Sequence, residues 1–196
     1  MDTFSSPEEF LKTQKPEKFT AKDIEHAIWS TYHSSVFNFQ QYLGVCHATG
    51  ITGWESDLLL VSKSDYLTEV EVKISVADFK REFTAKSKKH LCIQQGKTGR
   101  RAQGIISRYY FAMPSDLWVK VHDLVPEEYG IIVVHKRHSR TKLPLAHVVR
   151  HSKRFDARKI TEKEKQKIIL ANYYHYHARR IKMYLQGLDK PAEKEG

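Results

Sequence analysis

The stretch LTEVEVKIS, residues 67–75, spaces Glu69, Glu71 and Lys73 two apart, and side chains two apart on a β-strand share a face. Leu67 lies with them, while Thr68, Val70, Val72 and Ile74 make the opposite, largely apolar face. Upstream, DLLLVS (57–62) reads as a buried strand, and a three-residue turn of Lys63, Ser64 and Asp65 would join the two as a hairpin. That turn sets Val61 against Leu67, Leu59 against Glu69 and Asp57 against Glu71. A two- or four-residue loop would instead put Asp57 on the other face. Opposed carboxylates, with Cβ atoms roughly 5 Å apart, repel unless one takes a proton or a divalent cation binds both. Lys73 stands one step further along the same face, in reach of whatever such a cation holds. Glu55 shares the face of Asp57 by the same period and is a reserve ligand. The plainer meaning of such a charged row is a solvated face or a guarded sheet edge.

The elements that must position these residues follow from pattern. Thr20 and Asp23 resemble a capping box, and Ile24, Ala27, Ile28 and Tyr32 recur at helical spacing. VFNFQQYLGV (36–45) has an imperfect strand alternation. Ser75 caps a helix with Val76, Phe79 and Phe83 on one side. Residues 86–108 are basic and contain glycine, as a loop would. RYYFAM (108–113) is a strand ended by Pro114, DLWVKVHDL a short helix, and YGIIVVHK (129–136) a further strand. After a polar, basic connection, Thr161 and Glu164 open a helix running to about Gly187, with Leu170, Tyr174, Ala178, Ile181 and Leu185 as a core-facing stripe. The order helix, three strands, helix, strand, helix, strand, helix implies an α/β (α+β) fold with a mixed central sheet flanked by helices. The chain divides into a polar lead-in (1–19), a core (20–136), and a connection with the long last helix (137–196), which together suit a single domain.

At 196 residues, 40% hydrophobic and 29% charged, with a mean hydropathy of −0.56, the chain can bury a core but offers no membrane-spanning run. Nothing in its first residues resembles a signal peptide, and two cysteines, Cys46 and Cys92, fit a reducing compartment. A net charge of +10 favours an acidic partner, nucleic acid first, without separating DNA from RNA.

Asp57 together with Glu71-Val72-Lys73 resembles the signature of the PD-(D/E)xK nuclease superfamily. The longer run ESDLLLVSKSDYLTEVEVKISVADFKREF, 55–83, is similar to small phage and bacterial members related to DNA-repair nucleases. The resemblance covers residues 23–135 and implies a restriction-endonuclease-like α-β-β-β-α-β core. It implies a deoxyribonuclease that hydrolyses phosphodiester bonds, in the cytoplasm of a bacterium or a phage-infected cell. Asp57, Glu71 and the Val72 backbone carbonyl would hold Mg²⁺ or Mn²⁺, and Lys73 would act on the attacking water or on charge at phosphate. The superfamily often adds an acid from the first helix, for which Glu25 is the candidate; otherwise Glu25 is an exposed helical residue. Ser56 stands where the superfamily commonly has proline.

Lys80, Arg81, Lys86, Lys88, Lys89, Lys97, Arg100, Arg101 and Arg108 surround the single acid Glu82, a composition suited to phosphate contact. Tyr173, His175, His177, Arg179 and Arg180 of the last helix suit stacking on or contact with a strand, or plain packing. GKT at 96–98 lacks the leading glycine of a phosphate loop, since Leu91 stands there. Cys46-His47 and His90-x-Cys92 lack zinc-finger spacing. The competing reading is a nuclease-fold module that binds nucleic acid or inhibits a partner without catalysis.

Overall fold

The computed structural model of the chain describes residues 17–29, 36–37, 41–95 and 104–186. Among the described residues eleven elements and one further short helix, His122–Leu124, follow one another. They are α1 (Ala21–Trp29), β1 (Tyr42–Ala48), β2 (Ser56–Ser62), β3 (Leu67–Val72), α2 (Val76–Ala85), α3 (Ser87–Gln95), β4 (Ile106–Pro114), α4 (Ser115–Val121), β5 (Gly130–Arg137), β6 (Pro144–Arg150) and α5 (Glu162–Leu185). The strands form one mixed sheet of six in sequence order, parallel only between β3 and β4 and between β4 and β5.

The β2–β3 hairpin turns on Lys63, Ser64 and Asp65. The Asp65 N–H donates to the Ser62 carbonyl at 2.9 Å and the Ser62 N–H to that of Tyr66 at 3.0 Å. Asp65 takes the left-handed conformation, φ 66°, which such a three-residue loop needs and which Asp tolerates. The register is therefore Val61 to Leu67 and Leu59 to Glu69. Beyond Leu58, Asp57 stops pairing by backbone and accepts the Val72 N–H with its side chain at 2.8 Å.

Alternation splits the core into two. Leu58, Leu60, Val70 and Val72 face α1 with Ile24 and Ile28. Leu59, Val61 and Leu67 face the other side with Phe79 of α2, Ile93 of α3 and Leu117 of α4. This second side is also the face of Asp57, Glu69, Glu71 and Lys73. The charges of β3 are neither solvated nor on an edge: every residue of β3 is buried and both its neighbours are strands.

Four expectations are corrected. The first strand is Tyr42–Ala48, further along than 36–45. Residues 87–95 are helix rather than loop, because Ile93 enters the core and Lys89 and His90 are buried on the same side. The basic connection contains the edge strand β6, whose leading Pro144 suits an edge. The apolar stripe of α5 does not face the core: Leu170, Tyr174, Ile181 and Leu185 are exposed, and Ile168 is the residue that α5 buries. The lead-in lies mostly outside the described residues. Among those described, no helix is long and apolar enough to cross a membrane.

The start of α5 is a full capping box: the Thr161 hydroxyl accepts the Glu164 N–H, and the Glu164 carboxylate accepts that of Thr161 at 2.7 Å. Arg158 also holds Glu164 at 2.7 Å and, as the main cause, lowers its pKa to about 2. Thr161→Ala is expected to cost about 1 kcal/mol and lower Tm by roughly 2–4 °C. Calorimetry checks this; an unchanged main transition would mean that α5 melts apart from the sheet.

Candidate active site

The start of β2, the end of β3, His47 of β1, the start of α1 and one side of α2 enclose a cleft of about 300 Å³. Asp57, Glu71, Val72 and Lys73 line it from the strands, Glu25 from α1 and Arg81 from α2. The residues that the hairpin register set together are thus together, and Glu25 joins them. Glu55 stands at the rim, where its carboxylate is 3.6 Å from His47 Nδ1, while His47 Nε2 is 3.6 Å from Glu25. His47 takes φ 53°, a conformation that costs energy for a residue with a Cβ and gathers at functional sites. The sequence marked His47 only beside Cys46 in the rejected zinc pairing, because its partners Glu25 and Glu55 come from other segments.

Under the cleft lies a buried ion network. Lys73 Nζ is 3.0 Å from Glu71 and 2.7 Å from Glu82. Lys89 Nζ is 2.8 Å from Glu69, 2.7 Å from Glu71 and 3.4 Å from Glu82. Lys86 Nζ reaches Glu71 at 2.5 Å and Glu82 at 3.1 Å. The Trp54 indole donates to both oxygens of Glu69, at 3.0 and 3.1 Å. Glu82, read from sequence as a lone acid in a basic stretch, is the anchor of this network. Burial works to raise its pKa, but His90, Lys89 and Lys73 outweigh burial and hold the carboxyl far below its usual range. For Glu69 burial wins over Lys89 and Trp54, and its pKa rises.

Glu25, Asp57, Glu69, Glu71 and Glu82 face Lys73, Lys86 and Lys89, five carboxylates to three ammonium groups, a formal excess of two negative charges. The excess sits at the cleft. Among the described residues Asp57 makes no ion pair; burial and then Glu71 raise its pKa, against the Val72 N–H and the more distant Lys73 and Lys86. Burial also raises that of Glu25; Asp57 adds to this, against the pull of His47. Hard oxygen donors with uncompensated charge have the chemistry to hold Mg²⁺ or Mn²⁺, although no three His, Cys, Asp or Glu side chains among the described residues converge into a ready ligand set. Glu25 and Asp57 both present carboxylates to the cleft. Glu71 is held by Lys73 and Lys89 as well as by Lys86, and Lys86 is the one lysine of the three with an exposed side chain, 40% against 5% and 3%.

The basic segment divides. Lys80, Arg81 and Lys88 are exposed, with Arg81 3.2 Å from Asp78. Lys89 is buried under carboxylates and offers no surface to a phosphate. Lys86 is committed to Glu71 and Glu82, and Arg108 donates to the Ser152 carbonyl at 2.6 Å. Lys97, Arg100 and Arg101 lie outside the described residues.

No family model matches the chain, and no curated protein does. Among solved structures the chain is similar to the SPO1766 protein of unknown function from Silicibacter pomeroyi, at 18% identity and a TM-score of 0.47, over 80% of this chain and 88% of that one.

Proposed function

We propose that the chain is a divalent-metal-dependent deoxyribonuclease with a PD-(D/E)xK restriction-endonuclease-like core. The observation that carries this reading is the cleft in which Asp57, Glu71, Val72 and Lys73 converge with Glu25 and carry two negative charges in excess. The order α1-β1-β2-β3-α2-β4 supports the core, the added helix α3 being a departure from it. Asp57, Glu71 and the Val72 carbonyl, with Glu25, would hold Mg²⁺ or Mn²⁺. Such an ion supplies a water of lowered pKa and neutralises charge at phosphate. Lys73, held between Glu71 and Glu82, keeps an ammonium group at the cleft floor for charge that develops on the phosphate. Arg81 at the wall, with Lys80 and Lys88 nearby in sequence, supplies backbone contacts.

A second reading, a nuclease-fold module that binds DNA or a partner without cutting, draws on one observation: both Glu71 oxygens already face lysines. Incubation of single- and double-stranded DNA with the protein, with Mg²⁺, Mn²⁺ or EDTA, separates the two. Metal-dependent cleavage supports the nuclease; binding with no cleavage under either metal supports the module.

Lys86 gives an earlier test. If it competes with the cation for Glu71, Lys86→Ala should tighten Mn²⁺ binding about 5-fold, since a half-exposed pair is worth roughly 1 kcal/mol. Calorimetry measures this, and an unchanged Kd would take Lys86 out of the cation's way.

A further inference from the structure

Helix α5 is tied to the sheet through its first half. Lys165 Nζ meets Asp65 at the hairpin turn, 2.7 Å away, Ile168 is buried, and Asn172 donates to the Gly44 carbonyl at 2.6 Å. The helix therefore runs from the β2–β3 turn along the edge strand β1, in the direction from Gly44 to His47. At 1.5 Å per residue, Tyr173–Leu185 adds roughly 20 Å and carries the helix to the end of β1 that borders the cleft. Electrostatics agree: burial pushes the Cys46 thiol up to about 11, with Glu25 and Asp57 adding to it and Arg179 opposing. Arg179 is thus near the same part of β1 as the cleft acids.

This far half is rich in rings and free of acids. Tyr173, Tyr174, Tyr176 and Tyr184 are 56% to 72% exposed. His177 lies 4.2 Å from the Tyr173 ring centroid, and the Arg180 guanidinium lies 6.0 Å over Tyr176. Arg179, Arg180 and Lys182 are its cations, and no Asp or Glu occurs from 165 to 188.

We propose that the far half of α5 is a docking surface for single-stranded nucleic acid, with bases stacked on its tyrosines and phosphates met by Arg179, Arg180 and Lys182. Unpaired bases offer a π-face that a duplex hides, and stacking of this kind tolerates any sequence. The surface fits a polyanion better than a second copy of the chain. Two copies would press acid-free, cationic faces together in molecules that each carry +10, and most of the rings carry a hydroxyl or a ring nitrogen. The binding stands apart from the nuclease reading and does not rest on it.

The test is fluorescence anisotropy with a labelled 12-nucleotide oligo-dT and a 12-base-pair duplex, in EDTA, beside light scattering. Wild type should prefer the single strand. Tyr174→Ala with Tyr184→Ala, both exposed and so harmless to the fold, should weaken oligo-dT binding about 10-fold or more. Arg179→Gln with Arg180→Gln should flatten the log Kd against log salt slope by about 1.4. Wild-type affinity in the tyrosine variant, or a preference for duplex, overturns the proposal. So does a dimer that the tyrosine substitutions convert to monomer with oligo-dT affinity unchanged, which would make the face a seam between copies. Binding without any cleavage leaves this proposal standing and removes the nuclease; cleavage with variants that bind as wild type does the reverse.

Discussion

Asp57→Asn slows single-turnover DNA cleavage at least 100-fold and leaves the melting temperature level or higher. The two halves of this expected result come from one cause. Asp57 is a half-buried carboxylate facing Glu71 with no ion pair among the described residues, and its pKa is raised by burial first and by Glu71 second. A carboxyl whose folded pKa lies above its unfolded value of about 3.9 opposes folding at neutral pH. That cost fades as pH falls through the raised folded value toward the unfolded one. Asn removes the charge, while its amide oxygen can still accept the Val72 N–H. The stability gain should therefore be larger at neutral pH and vanish near pH 4, by calorimetry. The activity loss of 100-fold corresponds to about 2.7 kcal/mol of transition-state stabilisation, the size expected if Asp57 holds the proposed cation. A variant that loses stability and activity in proportion would make Asp57 scaffold. Lys73→Ala should also cut the rate about 100-fold, and by far more than DNA affinity. It is the less clean probe, because Lys73 is buried between Glu71 and Glu82.

The part of the site that lies within one hairpin was legible in the sequence. Period two and the length of the Lys63–Asp65 turn suffice to put Asp57 beside the end of β3. The rest depends on contacts between distant segments. Glu82 and Lys89 read as members of a polar stretch because nothing local distinguishes a lysine in water from one under three carboxylates. Helix α3 has only Leu91 and Ile93 as large aliphatics, too few for a helical period, and is held by buried Lys89 and His90 besides Ile93. Strand β6 escaped notice because its burial alternates weakly beside solvent. In α5 the helical period was real, but period alone fixes a face and not what covers it.

The burial of Lys89 has the larger consequence for stability. Its desolvation would lower its pKa, yet Glu69, Glu71 and Glu82 hold it well above the ordinary lysine value. Lys89→Met keeps much of the side-chain volume and removes the charge. Glu69 then retains only the Trp54 N–H among its described partners, at full burial. An uncompensated buried charge of this kind costs roughly 3–5 kcal/mol, a drop in Tm on the order of 10 °C for a chain of this size. The sign with pH is fixed by Glu69. Its pKa is already raised by burial, and without Lys89 it rises further, so the folded variant takes up a proton more readily than the unfolded chain does. The deficit relative to wild type should be greatest at neutral pH and above, and should shrink as pH falls through the raised Glu69 value. Chemical denaturation of both proteins from pH 8 to pH 5 measures this. Oligonucleotide affinity in EDTA, read for the folded fraction, should change less than 2-fold, since Lys89 shows no surface to a phosphate. A Lys89→Met variant that keeps its stability and loses affinity with a flatter salt slope would return Lys89 to the phosphate-binding surface.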